Sequence, residues 1–575
     1  MKSIKIKGIG ASSGVAVAKV FKLEEIKIDV NDAKISDIDA EIKLFEDAVK
    51  KSVFQIEQIK QKATKLKPEE LEILEAHALL ASDPDIAEDV KNMIRQQYNA
   101  VYSLKTVAKQ RIQFMLDTQD EYWIARIADI KDVVSRISKN ILNINILDLS
   151  SISEDVIIVA DDLTPSDTAQ LNSFVKGFAT NVGSRTSHSA IMARSLEIPA
   201  ILGLTNIVEQ VKNGDVLAIN GDSGQGVINP NEEELADFAQ QHACYVEGKK
   251  KLDEFLYKQA ISADGRKVVL AANIGSVEDA EGAQKANADE IGLFRSEFLY
   301  MDASNWPTED EQFNSYKKVL QTMAGKKVVV RTLDIGGDKT LKYYNFNKEL
   351  NPFLGNRAIR LSLDKQEILA TQLRALIRAS EFGPIAIMFP MIATLNEFFA
   401  AKKVFNEVYE QLRFIYPKIA KKEEIKLGIM IEIPIAAVMA NQFAHHVDFF
   451  SIGTNDLIQY SLAADRMNEK VSYLYQPLNP GILKLIKMTI DAGHRHNKWV
   501  GMCGEMAGDV NVVPILLGLG LDEFSMSASS ITKVKQLIST LEYKKMHEIA
   551  QKVVNFETEH QVIKYLESLD LISPK

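Results

Sequence analysis

The sequence predicts a multidomain α/β protein: an α/β domain that carries an inserted helical bundle, followed by a C-terminal (β/α)8 TIM barrel. Three observations predict it. Strand-like segments at the start of the chain stop near residue 23 and resume near 148, the intervening stretch places apolar residues at helical spacing, and eight apolar runs alternate with helix-length stretches over the last ~315 residues. A chain of 575 residues is also too long for one ordinary core.

The first segment, "SIKIKGIGASSGVAVAKVFKL", alternates like strands around Gly8, Gly10 and Gly14. Its glycine spacing does not fit a dinucleotide loop, and "VAVAKV" continues as strand where a phosphate loop would open a helix. Next, Ile38, Ile42, Phe45, Val49, Ile56 and Ile59 recur at helical spacing. Pro68 and the turn Ser82 to Asp85 punctuate this region, so about four helices are expected up to roughly Lys139. His77, in mid-helix, is expected to be a surface or packing residue. Strands and turns return from "EDVIIVADDLTPSDTAQL" to "DVLAINGDSGQGVINP", and a charged helical stretch then leads into the barrel. The expected boundaries are 1–22 with 148–230 for the α/β domain, 23–147 for the helical insertion, 231–258 for a linker helix and 259–575 for the barrel.

Composition narrows the function. Lys plus Arg total 68 against 78 Asp plus Glu, a net charge of -10, which does not favour nucleic acid or anionic membranes as partners. Two cysteines, Cys244 and Cys503, exclude a disulfide framework and fit a reducing, cytoplasmic setting. The N-terminus has no signal-peptide core, and no apolar run reaches the ~18 residues of a membrane helix.

In a TIM barrel the reacting groups lie where strands end. Asn273, Arg295, Arg331, Asp334, Glu432, Asn455, Asp456, Cys503 and Glu505 all follow apolar runs. Glu432 and Asp456 close the fifth and sixth predicted strands, so the two carboxylates meet at one site and suit Mg²⁺ or Mn²⁺, completed by water and substrate oxygens. Arg295, Arg331 and Arg466 sit in or just past strand ends, with Arg357 in the turn "NPFLGNR". Guanidiniums that converge repel unless an anion neutralises them, so the pocket expects a small polyanion; the alternative is that each pairs with Glu297, Asp334 or Asp465. Cys503, in "GMCGEMAG", is a small core residue or, with an ordinary thiol pKa of about 8.5, a proton donor at neutral pH.

"GSRTSHSAIMARSLEIPA" turns from a strand into a helix whose first residue is expected near Thr186 or Ser187, both good N-caps, with Ile191, Met192 and Leu196 on the buried side. His188 then lies in the first turn. The positive helix end disfavours imidazolium and leaves a neutral nucleophilic nitrogen, and it stabilises a phosphoryl group placed there. Arg185 adds a cation.

"SRTSHSAIMARSLEIPAILG", "VRTLDIGGDK", "NPFLGNRAIR", "IMIEIP", "DFFSIGTNDLIQY" and "MCGEMAG" together resemble Enzyme I of the bacterial phosphoenolpyruvate-dependent sugar phosphotransferase system, in family order and over nearly the whole chain. The resemblance implies a swivelling phosphohistidine domain, a helical domain that docks the carrier protein HPr, and a barrel that binds phosphoenolpyruvate and dimerises. It implies that His188 accepts the phosphoryl group and passes it to HPr, that Glu432 and Asp456 hold Mg²⁺, that Arg295, Arg331, Asn455, Asp456 and Arg466 bind substrate with Arg357 nearby, and that Cys503 donates the proton that makes pyruvate. The family pattern is broken at Ser184, Asn356, Ile458 and Met467. Two rival readings are a catalytically silent HPr-binding homologue and a dikinase-like phosphoenolpyruvate enzyme without its ATP domain.

Overall fold

The computed structural model describes residues 3–23, 32, 34–62, 68–117, 126–144, 148–184, 187–301, 303–336, 339, 341, 343–344, 346–466 and 468–572. The chain divides into two compact units, Met1–Lys249 and Lys250–Lys575.

In the first unit β1 (Ile4–Lys7), β2 (Ile9–Ser12), β3 (Val15–Leu23), β4 (Val156–Ala160), β5 (Val175–Thr180), β6 (Ala200–Leu202), β7 (Val216–Asn220) and β8 (Gln225–Ile228) form one sheet in the order β1-β8-β7-β3-β4-β5-β6-β2. The four central strands β3 to β6 are parallel and the flanking pairs antiparallel. "VIIVA" of β4 is buried along its whole length because the sheet is covered on both faces. Alternation sends Val156, Ile158 and Ala160 to a core with Phe178, Ala190 and Ala193, and Ile157 and Val159 to a second core with Ile207, Leu217 and Ile219.

Between β3 and β4 lie α1 (Ile38–Lys62), α2 (Pro68–Ala81), α3 (Pro84–Arg95), α4 (Ala100–Asp117) and α5 (Ile127–Ile141). Phe45, Ile56, Leu74, Val90, Ile94, Leu104, Val133 and Ile137 are buried together at their centre. The turn at Ser82 to Asp85 starts α3: the Asp83 side chain accepts the amides of Asp85 and Ile86, and Pro84 occupies the first helical position. The described residues hold five helices here, not four. The extra break, between α3 and α4, contains neither Gly nor Pro; Gln97 makes it by adopting φ 68°.

Of the two places expected for His77, the structure gives the packing one and not the surface one. His77 is fully buried on α2, with Nε2 2.9 Å from Asp129 Oδ1 and Nδ1 3.6 Å from Asp132 Oδ2, both acids on α5. The i, i+3 spacing of those acids puts them on one face of their helix.

After β4 come a short α6 (Pro165–Thr168), then α7 (His188–Ser195) between β5 and β6, and α8 (Glu232–Phe255) after β8.

The second unit is a closed parallel barrel of β9 (Val269–Ile274), β10 (Glu290–Arg295), β11 (Val328–Arg331), β12 (Ile385–Phe389), β13 (Lys426–Ile431), β14 (Phe449–Ile452), β15 (Trp499–Met502) and β16 (Glu523–Met526). These are the eight predicted runs in their predicted order. No helix among the described residues is long and apolar enough to cross a membrane.

At the N-terminal ends of these strands Lys327 Nζ lies 2.7 Å from Glu290 and 3.4 Å from Glu523, and 3.9 Å above the Trp499 ring. Burial, helped by Glu290, pushes the Glu523 carboxyl up to about 7 although Lys327 pulls it down. The folded state therefore holds a proton that the unfolded chain releases near pH 4.3, so this group's stabilisation is complete at low pH and is lost as pH rises through about 7. Lys327→Met removes the cation the ionised acids face. Its stability loss, read by thermal melting, should be larger at pH 8 than at pH 6, on the order of 3–5 kcal/mol at the higher pH. An equal loss at both pH values would show that the carboxylates do not depend on Lys327.

Candidate active site at the barrel mouth

The loops after the barrel strands enclose a cavity of about 690 Å³. Seven residues expected at one site line it: Arg295, Arg331, Glu432, Asn455, Asp456, Arg466 and Cys503, with Arg357 beside them. Arg295 ends β10, Arg331 ends β11, Glu432 follows β13, Asn455 and Asp456 open the helix after β14, and Cys503 follows β15. Each stands at or just past the end of an apolar strand because the barrel buries the strand and ends it at the mouth.

The arginines of the inner wall are paired and still in the cavity. Arg331 contacts Glu297 and lies 3.0 Å from Asp334, whose other oxygen is 3.0 Å from Arg357. Burial opposes charge on Asp334, but Arg331, Lys339 and Arg357 outweigh it and hold the carboxyl well below the usual range. Nε of Arg331 and Nε of Arg357 are enclosed and find no hydrogen-bond partner among the described residues. Arg295 stacks over the Phe298 ring, 4.9 Å from its centroid.

Glu432 is buried, accepts the Met391 amide, and is pushed above the carboxylate range by burial and then by the charges of Asp456 and Asp334. Glu432 with Asp456 beside it forms an oxygen-rich pair of like charge that a hard divalent cation relieves. Among the described residues no group of three or more His, Cys, Asp or Glu could hold a metal alone, so the cation that fits is one content with two protein oxygens.

Cys503 lies against Leu293, Met430 and Phe449, and burial pushes its thiol up to about 11, against the pull of Ser451 and Arg331. Its backbone carbonyl accepts Asn273 Nδ2 at 3.0 Å, and Ser525 Oγ donates to Asn273 Oδ1 at 2.6 Å. The next residue, Gly504, packs on the loop of Asn455: a Cβ there would stand 1.8 Å from Thr454 Oγ1 and 2.6 Å from its amide nitrogen. No residue larger than glycine fits.

Two lining residues were not anticipated. Tyr475 donates to Asn455 Oδ1 at 3.0 Å, which fixes that amide with its nitrogen toward Glu505 at 3.3 Å. Lys339 donates to Asp334 Oδ2 at 3.3 Å, and its backbone exchanges hydrogen bonds with that of Gly336, which takes φ 116°. The DIGGDK glycines were the available signal for Lys339. Tyr475 lies in an irregular loop and had none.

His188 belongs to the other unit, where it is the first residue of α7 with Ser187 as N-cap, its hydroxyl accepting the Ala190 amide. Ala190, Met192 and Ala193 form the buried side of this helix, and Leu196 is half-buried. The side chains of His188 and Ile191, and all of Arg185, Thr186 and Met467, lie outside the described residues. Of the other departures, Ser184 and Asn356 are exposed, while Ile458 packs in the barrel core.

Residues 7–126, 152–224 and 249–543 match, in turn, the N-terminal, mobile and PEP-binding domains of PEP-utilising enzymes. The chain is 50% identical over 565 residues to the phosphoenolpyruvate-protein phosphotransferase of Bacillus subtilis (strain 168), covering 98% of this chain and 99% of that one. It is 50% identical over 568 residues to the protein of that name in Mycoplasma capricolum, with the same coverage, and 50% identical over 563 residues to that of Staphylococcus aureus, covering 97% and 98%. The swivelling-domain and barrel motifs, the eight-stranded barrel and the full-length likeness agree: the chain belongs to the phosphoenolpyruvate-protein phosphotransferase family.

Proposed function

We propose that the chain transfers the phosphoryl group of phosphoenolpyruvate to His188 and from there to a histidine of HPr, releasing pyruvate, as the first step of sugar uptake by the phosphotransferase system. One observation carries the reading: a single cavity gathers an arginine wall, the acid pair Glu432 and Asp456, and the buried Cys503 thiol.

Arg295, Arg331, Asn455 and Arg466 bind the phosphate and carboxylate, with Asp456 turned to the same substrate. Glu432 and Asp456 are the residues that would hold Mg²⁺, or Mn²⁺, which when bound neutralises phosphate charge. A neutral ring nitrogen of His188 attacks phosphorus in line; the N–P bond forms as the P–O bond to the enol breaks. The enolate's electron pair takes the Cys503 proton at carbon, giving pyruvate, and solvent returns a proton to the thiolate.

Because His188 and the cavity belong to separate units, transfer needs the 1–22 and 148–230 domain to swing about the 231–258 linker, toward the barrel for loading and toward HPr on the 23–147 helices for delivery. Scattering curves unchanged by phosphoenolpyruvate and Mg²⁺ would count against the swing. The same reading makes the protein cytoplasmic and a homodimer through residues 259–575.

Incubation with ³²P-labelled phosphoenolpyruvate and Mg²⁺ tests the core of it. The parent should carry acid-labile label and His188→Ala none. Label that persists in His188→Ala would move the acceptor elsewhere.

A further inference from the structure

Arg331, Lys339 and Arg357 are three cations that ordinary repulsion would keep apart, yet they share one wall of the cavity. Two buried carboxylates hold them. Glu297 Oε1 accepts from both Arg331 and Lys339, the latter at 2.9 Å. Asp334 Oδ2 lies 3.0 Å from Arg331 and 3.3 Å from Lys339, while its Oδ1 accepts from Arg357 at 3.0 Å.

We propose that Glu297 and Asp334 are positioning residues that fix Arg331, Lys339 and Arg357 as a preformed cationic wall for the substrate's anionic groups.

The cluster is poorly built for stability. Glu297 is 2% and Asp334 1% exposed, and Glu297 Oε2 is enclosed with no partner among the described residues, an arrangement that costs free energy compared with an apolar core. Structural arginine–carboxylate pairs frequently place both oxygens on one guanidinium. Here one oxygen of Glu297 is shared by two cations from different segments, which sets the distance between those cations.

The neighbouring backbone is pinned as well. Ser296 Oγ donates to the Arg331 carbonyl at 2.6 Å, and Gln372, fully buried, accepts the Leu333 amide and donates to Ser296 Oγ. Strand end and side chains are thus both fixed, so binding need not assemble the wall.

The inference rests on phosphoenolpyruvate being the ligand of this cavity. The test uses the full-length protein, with phosphoenolpyruvate and Mg²⁺, and reads KM, kcat and thermal melting for the parent, Glu297→Gln, Asp334→Asn and Glu297→Asp. The last keeps the charge and shortens the reach by one methylene, so it remains informative if a neutralised variant does not fold. Positioning predicts at least tenfold higher KM in folded Glu297→Asp and Glu297→Gln, with kcat changed less than KM. It also predicts a smaller effect of Glu297→Gln when Lys339→Met is already present, because Glu297 acts partly through Lys339. Lower melting temperature with parental KM would make the acids structural only and overturn the proposal. So would tighter substrate binding, which would show that the acids compete with substrate for the arginines. A parent protein that neither binds nor uses phosphoenolpyruvate would instead refute the function proposed above.

Discussion

Cys503→Ala is expected to slow pyruvate formation by about 10²- to 10⁴-fold, the usual worth of a positioned proton donor, while phosphoenolpyruvate continues to bind. The thiol is enclosed by Leu293, Val329, Met388, Met430 and Phe449, an environment with little to offer a thiolate. Burial pushes it up to about 11, so it keeps its proton through the neutral range and loses it only in strong alkali. Two measurements follow from that sign. Pyruvate release, coupled to lactate dehydrogenase, should not lose activity through this group below about pH 10. Alkylation of Cys503 by iodoacetamide, which needs thiolate, should be slow at pH 7.5 and climb with pH toward about 11. Alkylation with an apparent pKa near the free-thiol value of about 8.5, or parental turnover in Cys503→Ala, would remove Cys503 from the reaction.

Arg331→Met should be the most damaging change in the arginine wall. It leaves Glu297 and Asp334 buried with one fewer cation, a loss on the order of 3–5 kcal/mol in unfolding free energy measured by urea titration. It also removes the substrate contact proposed for Arg331, so phosphoenolpyruvate affinity in folded protein should fall by about 30-fold or more, the equivalent of about 2 kcal/mol. Equal affinity in the variant would place the phosphate away from Arg331.

The barrel was legible because a parallel strand buried on both sides is an apolar run, and the residue that ends such a run faces the mouth. Glu432, Asp456 and Cys503 were found that way. Glu297 was visible only as a generic partner for arginine, and Asp334 as that or as one more polar residue past a strand; their sharing of three cations depends on Lys339 returning to Asp334, and spacing along a strand does not report such a return. The break at Gln97 carried no Gly or Pro, so the sequence showed fewer helices than the described residues hold. That His77 packs against acids rather than facing solvent could not be read from its own helix, because its partners, Asp129 and Asp132, stand more than fifty residues along the chain on another helix.

The sheet of the first unit has a consequence for how the chain is made. Ile4 pairs with Ile228 and Lys19 with Val156, so the opening strands have no edge to join until far later residues have emerged. At about 5–20 residues per second, the first strand waits on the order of ten seconds or more for its neighbour on the ribosome. The five helices in between, whose contacts are mostly local, can close around Phe45 and Leu104 during that delay. Translation thus delivers a finished bundle tethered to unfinished ribbons, and a nascent chain halted before residue 150 would expose "VAVAKVFKL" as a bare strand open to chaperones.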